Sequence, residues 1–406
     1  MTKVRRVKYI RVGTTIYKEV GKPLLSKRDE KMLIPWKSGT IKADHPFNWK
    51  RIMNTIDKYD GFCTIPEHFN YVRNYKGFYN LYEPLSFQPK EGSCDITLNF
   101  LRHIFGYQYE LGLDYLQLIY MQPLQRLPVL CRVSEQRETG KTTFLNLLKT
   151  VFGNNMTFNT NDDFRSTFNS DWVSKLIIAI DEVLLDKRED SERIKNLSTA
   201  STFKSEAKGK DRFEVEYFGK IILCSNNESD FMVIGLQETR YWVLKINPLP
   251  GKDPAFLQKL EMEIPHFLFF LFNRKLSTQR KSRMWFTTDQ IFTEALRKVK
   301  AENVNKIEME LFEIINEIME IKDLESFSFI NLNIKVLLDR SGHRISRSRI
   351  RKILEDRWGL TQYPNASNFT TFQFDHSGML YEIDNKGRYY TIKKEEMERI
   401  KVAMLT

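Results

Sequence analysis

The stretch Val133–Phe144, VSEQRETGKTTF, ends in Gly140-Lys141-Thr142 and its neighbours. That triplet is the second half of the phosphate-loop pattern G-x-x-x-x-G-K-[ST]. In that pattern backbone N–H groups and a lysine cradle phosphates, and a hydroxyl serves Mg²⁺. The place of the first glycine holds Glu135. Further on, KLIIAIDEVLLD puts Asp181-Glu182 after an apolar run. Asp181 suits an Mg²⁺ ion, directly or through water, and Glu182 suits orienting and deprotonating an attacking water. GKIILCSNNES then puts Ser225-Asn226-Asn227 after another apolar run. A neutral amide there can bond a γ-phosphate and a water without adding charge. Alone, GKT can open an ordinary helix, DE can be an acidic loop and SNN a polar turn. In this order at successive strand ends, they point to a site for a nucleoside triphosphate with Mg²⁺.

The elements that must position these residues are legible as apolar runs. LPVLCRVS, KLIIAID, KIILCSNN and YWVLKIN read as four buried strands, and TTFLNLLKTVFG as the helix opened by GKT. Short continuous apolar runs suit a sheet covered on both faces, hence an α/β core. Thr139, Gly140, Lys141, Thr142 and Thr143 are expected around the phosphates, with Thr142 and Asp181 on the metal. Glu135 is expected to point away from the phosphates, toward a basic neighbour such as Arg137. Upstream, residues 1 to about 90 read as short strands and turns. ITLNFLRHIFG and YLQLIYMQPLQRLP read as helices, and AFLQKLEMEIPHFLFFLFNR as the helix that closes the core. KLSTQRKSRM (Lys275–Met284) reads as a linker. After it come the amphipathic helix NKIEMELFEIINEIMEI, then the helices NLNIKVLLDRSG and RSRIRKILEDRW, the last capped by Ser346. GMLYEIDNKGRYYTI reads as a hairpin turning at Asn385-Lys386-Gly387. That order suits a winged helix-turn-helix.

The bulk numbers narrow the partners. The chain has 406 residues, 41% hydrophobic, enough for two or three domains with proper cores. A net charge of +11 favours a polyanionic partner, nucleic acid before a membrane surface. Four scattered cysteines without a C-x-x-C argue against a zinc knuckle or disulfide framework and fit a reducing, cytoplasmic compartment. The N-terminal stretch lacks the apolar region of a signal peptide. The densest apolar run, His266–Phe272, is too short to span a bilayer. No repeat or low-complexity tract is visible.

The order of phosphate loop, acidic strand end, basic hairpin and strand-plus-Asn resembles superfamily 3 helicases, the AAA+-type ring ATPases of viruses, phages and plasmids. NLSTASTFKSEAKGKDRFEVEYFGKIILCSNN (Asn196–Asn227) looks like their B′ region running into motif C. The region around FNYVRNYKGFYNLYEPL and LNFLRHIFG looks like what precedes the helicase core in phage and plasmid primase-helicases. The resemblance covers roughly residues 60–275. It implies a ring, a hexamer, that translocates on DNA. It also implies roles for Lys141 and Thr142 (Walker A), Asp181 and Glu182 (Walker B) and Asn226 (motif C). LQETRYWVLKI resembles the arginine-finger segment, so Arg240 is implied to reach a neighbouring subunit's γ-phosphate. The departure from the family pattern is Glu135.

Two basic clusters complete the reading. TFKSEA and FEVEYF can pair around KGKD, with Gly209 in the turn, Lys208 and Lys210 at the tip and Lys204 below; such a tip grips a phosphate backbone without reading bases. Arg344, Arg347, Arg349, Arg351 and Lys352 cluster at the second helix of the proposed winged motif, where duplex DNA would dock. The expected architecture is an adaptor (1–92), a helical collar (93–128), an AAA+-like P-loop NTPase core (129–275) and a C-terminal helical and winged-helix domain (286–406). The expected function is ATP-dependent DNA unwinding during replication of a phage, plasmid or other mobile element. Without a primase-type cluster, primer synthesis falls to a separate primase or polymerase. Two other readings stay open: a non-enzymatic initiator that only holds nucleotide, and an ATPase of the same fold that remodels protein or packages DNA. Polarity, ring size, origin sequence, host and the role of residues 1–60 are not legible.

Overall fold

A computed structural model of the chain describes residues 8–23, 29–185, 187–209, 211–235, 238–340, 345–374 and 379–405. Lys210 and Arg344 lie outside the described residues. The chain forms two compact units interleaved in sequence. The first comprises Met1–Val183, Leu197–Asn226 and Leu244–Ile291; the second comprises Leu184–Asn196, Asn227–Val243 and Phe292–Thr406.

The first unit begins with strands β1 (Lys8–Val12), β2 (Thr15–Pro23), β3 (Asp29–Pro35) and β4 (Asp57–Tyr59), in the sheet order β3-β2-β1-β4. Helices α1 (Ser38–Asp44) and α2 (Trp49–Thr55) sit between β3 and β4, and Ile41 of α1 packs in a small core with Tyr9 and Ile56. Three short strands follow, β5 (Phe62–Cys63), β6 (Asn74–Tyr75) and β7 (Phe78–Asn80), ordered β5-β7-β6. Helices α3 (Asp95–Phe105) and α4 (Tyr109–Met121) come next. Every residue of α4 from Gly112 to Tyr120 is buried, Asp114 and Gln117 included, so this helix lies inside the core.

The central sheet carries the chemistry. Its strands are β8 (Val129–Val133), β9 (Met156–Asn159), β10 (Ile177–Ile180), β13 (Lys220–Ser225) and β14 (Tyr241–Lys245), in the order β14-β8-β13-β10-β9. The pairs β8/β13, β13/β10 and β10/β9 are parallel. β8, β10 and β13 are buried throughout, as their continuous apolar runs require. The four strands read from sequence are present. The fifth, β9, was not foreseen: MTFN is short and half polar, and its partner β10 gives it the strand conformation.

Between these strands lie α5 (Lys141–Phe152), α6 (Asn161–Arg165) and α7 (Arg188–Thr199), and the antiparallel hairpin of β11 (Thr202–Ser205) and β12 (Phe213–Glu216). α8 (Phe256–Asn273) packs on α3, α4 and α5. The short α9 (Thr288–Ile291) ends this unit. The segment Lys275–Met284 is not a loose linker. Asp114 of α4, wholly buried, accepts hydrogen bonds from the backbone and hydroxyls of both Ser277 and Thr278, and from Arg274. Polar composition misled here: Ser and Thr are polar because they satisfy a buried carboxylate.

In the second unit, α10 (Glu294–Ile321) is followed by β15 (Ser326–Phe329), α11 (Asn331–Arg340) and α12 (Arg347–Lys352). β16 (Ser367–Phe374), β17 (Leu380–Gly387), β18 (Tyr390–Lys393) and α13 (Lys394–Leu405) complete it. Ile307, Leu311, Ile315 and Ile318 of α10 are buried in one core with α11, α12 and the strands. Ser346 caps α12, its hydroxyl accepting from Arg349 N. The expected hairpin turn at Asn385-Lys386-Gly387 is not formed. Those residues end β17, which pairs antiparallel with β16, while β18 pairs with β15. Alternation on both sides of a turn-prone triplet does not say which strand is the partner.

Candidate nucleotide site at the sheet edge

The parallel strands β8, β10 and β13 bring Gly140–Thr143, Asp181-Glu182 and Ser225-Asn226 to one end of the sheet. In open parallel sheets that end is where ligands collect. Ser134 N donates to Ser225 O at 3.2 Å, and Val183 N to Cys224 O at 2.8 Å, so the strand ends are stitched together beyond the regular ladder.

The loop after β8 turns at Glu138 and Gly140. Both have left-handed φ, +59° and +85°. Glu135 is not among the residues with positive φ and its side chain is exposed. The pattern's first glycine is therefore replaced at a position with ordinary backbone, and the strained conformation falls on Glu138. Glu138 is held there by Leu249 N donating to its carbonyl at 3.0 Å, and by an exposed ion pair with Lys252 at 2.6 Å. A Cβ on Gly140 would lie 2.9 Å from the Phe100 ring, so that glycine is also required by packing.

Lys141 is 7% exposed and donates from Nζ to Ser134 O at 3.0 Å. A cation tethered inside the loop that opens α5 is placed to meet an anion at the helix N-terminus. Thr139 is buried, and His103 Nε2 lies 3.1 Å from its carbonyl oxygen. Thr142 Oγ1 donates to Asp181 Oδ2 at 2.9 Å. A hydroxyl and a carboxylate converging at a strand end form the hard-oxygen donor set that fits Mg²⁺, with phosphate oxygens and water filling the other positions. Thr143 is half-buried on the first turn of α5.

Glu182 has φ +57° and an exposed side chain, and its N–H donates to Asp181 Oδ1 at 3.2 Å. A glutamate in the left-handed region costs about 1–2 kcal/mol, and such strain gathers at functional sites. Asn226 is exposed at the end of β13. The neighbouring Asn227 uses its Oδ1 to accept from Ser229 N and Asp230 N, at 3.0 and 2.7 Å. Its side chain caps a turn, which leaves Asn226 as the amide of that pair facing solvent.

Arg240, in the second unit, is 29% exposed in its side chain and holds Glu238 through Nη1 at 2.6 Å. The hairpin β11–β12 has the expected register, Lys204 opposite Glu214 and Ser205 opposite Phe213. Lys204 and Lys208 are exposed and Gly209 has φ +73°. The hairpin is anchored by Asn169, which donates to Lys204 O at 2.9 Å and accepts from Glu206 N at 2.8 Å. Of the arginines on α12, Arg347 is exposed, Arg351 pairs with Glu355 at 2.9 Å, and Arg349 Nη2 donates to Asn303 O of α10 at 3.4 Å.

One charged residue beside the site escaped sequence reading. Arg132 interrupts the apolar run of β8 and is wholly buried. It donates to Ile104 O at 2.8 Å, with its guanidinium 4.0 Å from the Phe105 ring centroid. Burial pushes its pKa down to about 9. A lone arginine inside an otherwise apolar strand was the available signal.

Comparison with known proteins bears on the fold. Residues 133–240 match a family of unknown function, DUF5906. No curated protein matches the chain. An apo structure of the NrS-1 C-terminal region (305–718) is 17% identical, covering 96% of this chain and 95% of that one with a TM-score of 0.57. A second form of that region is 18% identical over 93% and 96%, with a TM-score of 0.56. JCV helicase, 13% identical, aligns over 54% of this chain and 62% of its own with a TM-score of 0.30, too low to carry an argument. The chain thus has the fold of the NrS-1 C-terminal region, a mixed α/β fold with a parallel central sheet. No helix among the described residues is long and apolar enough to cross a membrane.

Proposed function

We propose that this chain is an ATP-dependent DNA helicase or translocase of the superfamily 3 type, acting as a ring, a hexamer, in replication of a phage, plasmid or other mobile element. The observation that carries the reading is the 2.9 Å hydrogen bond from Thr142 to Asp181. It joins the helix opened by GKT to the strand end that continues into Glu182, the pair needed to hold Mg²⁺ and to aim a water.

In this account Lys141 leaves Ser134 O for the β- and γ-phosphates, and the loop from Thr139 to Thr143 supplies N–H donors. Mg²⁺, held by Thr142 and Asp181, would supply neutralisation of phosphate charge. Glu182 takes a proton from the attacking water, and Asn226 orients that water. Arg240 leaves Glu238 to stabilise developing charge in the adjoining subunit's site. Hydrolysis moves the hairpin bearing Lys204, Lys208 and Lys210 along one strand. Arg347, with Arg349 and Arg351, contacts duplex DNA from a winged-helix domain built on α11, α12 and β16–β17.

A forked duplex with labelled strands tests the reading. Strand separation that requires ATP and Mg²⁺, and disappears in Lys208→Ala, is expected. Hydrolysis without strand separation or movement on DNA would instead favour an ATPase that remodels protein.

A further inference from the structure

Three arginines converge on a cleft of about 610 Å³ in the first unit, away from the GKT loop. Arg126 comes from the loop after α4, and Arg280 and Arg283 from the segment after α8. Ser201 and Glu216, the two feet of the β11–β12 hairpin, form one wall, and Glu67 another. We propose that this cleft binds the phosphodiester backbone of a single-stranded nucleic acid, as a second grip below the hairpin tip.

The segments that carry the arginines are fixed by buried chemistry. Asp114 accepts from Ser277 N and Oγ at 3.0 and 2.9 Å, and from Thr278 N and Oγ1 at 2.8 and 2.6 Å. Thr278 Oγ1 in turn accepts from Trp285 Nε1 at 2.9 Å, and Lys281 N donates to Trp285 O at 3.0 Å. These bonds clamp both ends of the segment that carries Arg280 and Arg283. Gln125 Nε2 bridges the two arginine-bearing loops, donating to Arg126 O at 2.7 Å and to Arg283 O at 3.1 Å. Arg283 Nη2 reaches Thr199 O at 2.5 Å, just before the hairpin. A segment this constrained loses little freedom when a ligand arrives.

Charge selects the ligand. Arg126 has its pKa lowered by burial and by the nearness of Arg283, so the cleft holds cations together against their repulsion. An anion between them relieves that repulsion and gains charge-assisted bonds from planar guanidinium forks. Three arginines less two glutamates leave +1 on the lining, which matches phosphodiesters of one charge each better than a free polyphosphate. Position selects a strand: each arm of the hairpin is four residues, about 13 Å at the usual rise. One extended strand can therefore run from foot to tip and be held by its backbone at both.

The inference rests on the DNA-binding part of the proposed function and not on hydrolysis. The test is fluorescence anisotropy of a labelled oligo(dT) with the full chain, without nucleotide, across a salt series. Arg280→Ala/Arg283→Ala is expected to weaken binding at least tenfold. It should also flatten the slope of log K against log salt by about 1.4, two contacts at 0.7 each on a single strand. The single Arg280→Glu, at an exposed position, guards against misfolding and is expected to weaken binding in the same direction. If both variants bind like wild type while Lys208→Ala weakens binding, the cleft is wrong and the hairpin reading stands. If wild type binds no oligonucleotide, the cleft and the DNA reading both fall.

Discussion

Thr142 Oγ1 and Asp181 Oδ2 lie 2.9 Å apart, linking the first turn of α5 to the end of β10. The two residues are remote in sequence and meet because β8 and β10 run parallel, separated only by β13. If this pair holds Mg²⁺, Thr142→Ala and Asp181→Asn each lower Mg²⁺-dependent ATP turnover by about 100-fold. Thr142→Ser, which keeps the hydroxyl, retains most of it. Steady-state phosphate release across an Mg²⁺ titration reads the effect; turnover unchanged in Asp181→Asn would remove that residue from the metal site.

Lys141 is buried against Ser134 O, so its charge is held ready for an anion. Lys141→Ala is expected to weaken binding of a fluorescent ATP analogue at least about tenfold, since a desolvated charged contact is worth 2 kcal/mol or more. Equal affinity in the variant would place the nucleotide elsewhere.

The loop question that Glu135 raises has a structural answer with its own test. Left-handed backbone falls on Glu138, φ +59°, and not on Glu135. Glu138→Gly is therefore expected to raise the thermal unfolding midpoint by about 2 °C: relief of roughly 1–2 kcal/mol of strain is partly offset by glycine's entropy. The exposed Lys252 pair that is lost contributes little. Glu135→Gly, removing a side chain from ordinary backbone, is expected to give no gain in either stability or turnover. A gain on Glu135→Gly and none on Glu138→Gly would reverse the assignment.

How much of this was legible beforehand can be judged residue by residue. The strands bearing Cys131, Ile178 and Ile222 were plain because a sheet covered on both faces writes a continuous apolar run. The placement of Asp181, Glu182 and Asn226 at strand ends followed from where those runs stop; their roles are part of the proposal. Strand β9 was hidden because its pairing with β10 is a long-range fact. The role of Ser277 and Thr278 was hidden because their partner, Asp114, is 163 or 164 residues away and looks like one more polar residue in a helix. The strand pairing of Leu380–Gly387 was misjudged because turn-type residues also tolerate a strand end. No local pattern distinguishes Arg126, Arg280 and Arg283 from a solvated basic surface; only the fold brings them together.

Arg240 is engaged by Glu238 within its own chain. If it acts on a neighbour's nucleotide, Arg240→Ala lowers turnover by about 10³-fold. Glu182→Gln also inactivates. Mixing the two inactive proteins is expected to restore partial activity, because some interfaces then pair an intact Glu182 with an intact Arg240. A mixture as inactive as its components would contradict a role between subunits.

Lys220 is buried with Nζ donating to Pro123 O and Phe218 O, and burial lowers its pKa to about 7. Between pH 7 and its ordinary value near 10.4, the unfolded chain keeps a proton the folded chain has released. Stability therefore rises with pH across that window. Thermal unfolding from pH 7 to 9 is expected to show a rising midpoint, and Lys220→Met is expected to flatten that rise. The same slope in the variant would assign it to other groups.

The account's central claim is that the GKT loop, Asp181 and Glu182 hydrolyse ATP under the control of DNA. The most direct measurement is ATP turnover by the wild-type chain with and without single-stranded DNA, beside Glu182→Gln. The account predicts turnover that rises with DNA and is lost in Glu182→Gln while ATP binding persists. Wild-type protein that binds ATP but shows no turnover, with DNA or without, would contradict it and leave a nucleotide-holding DNA-binding initiator as the better description.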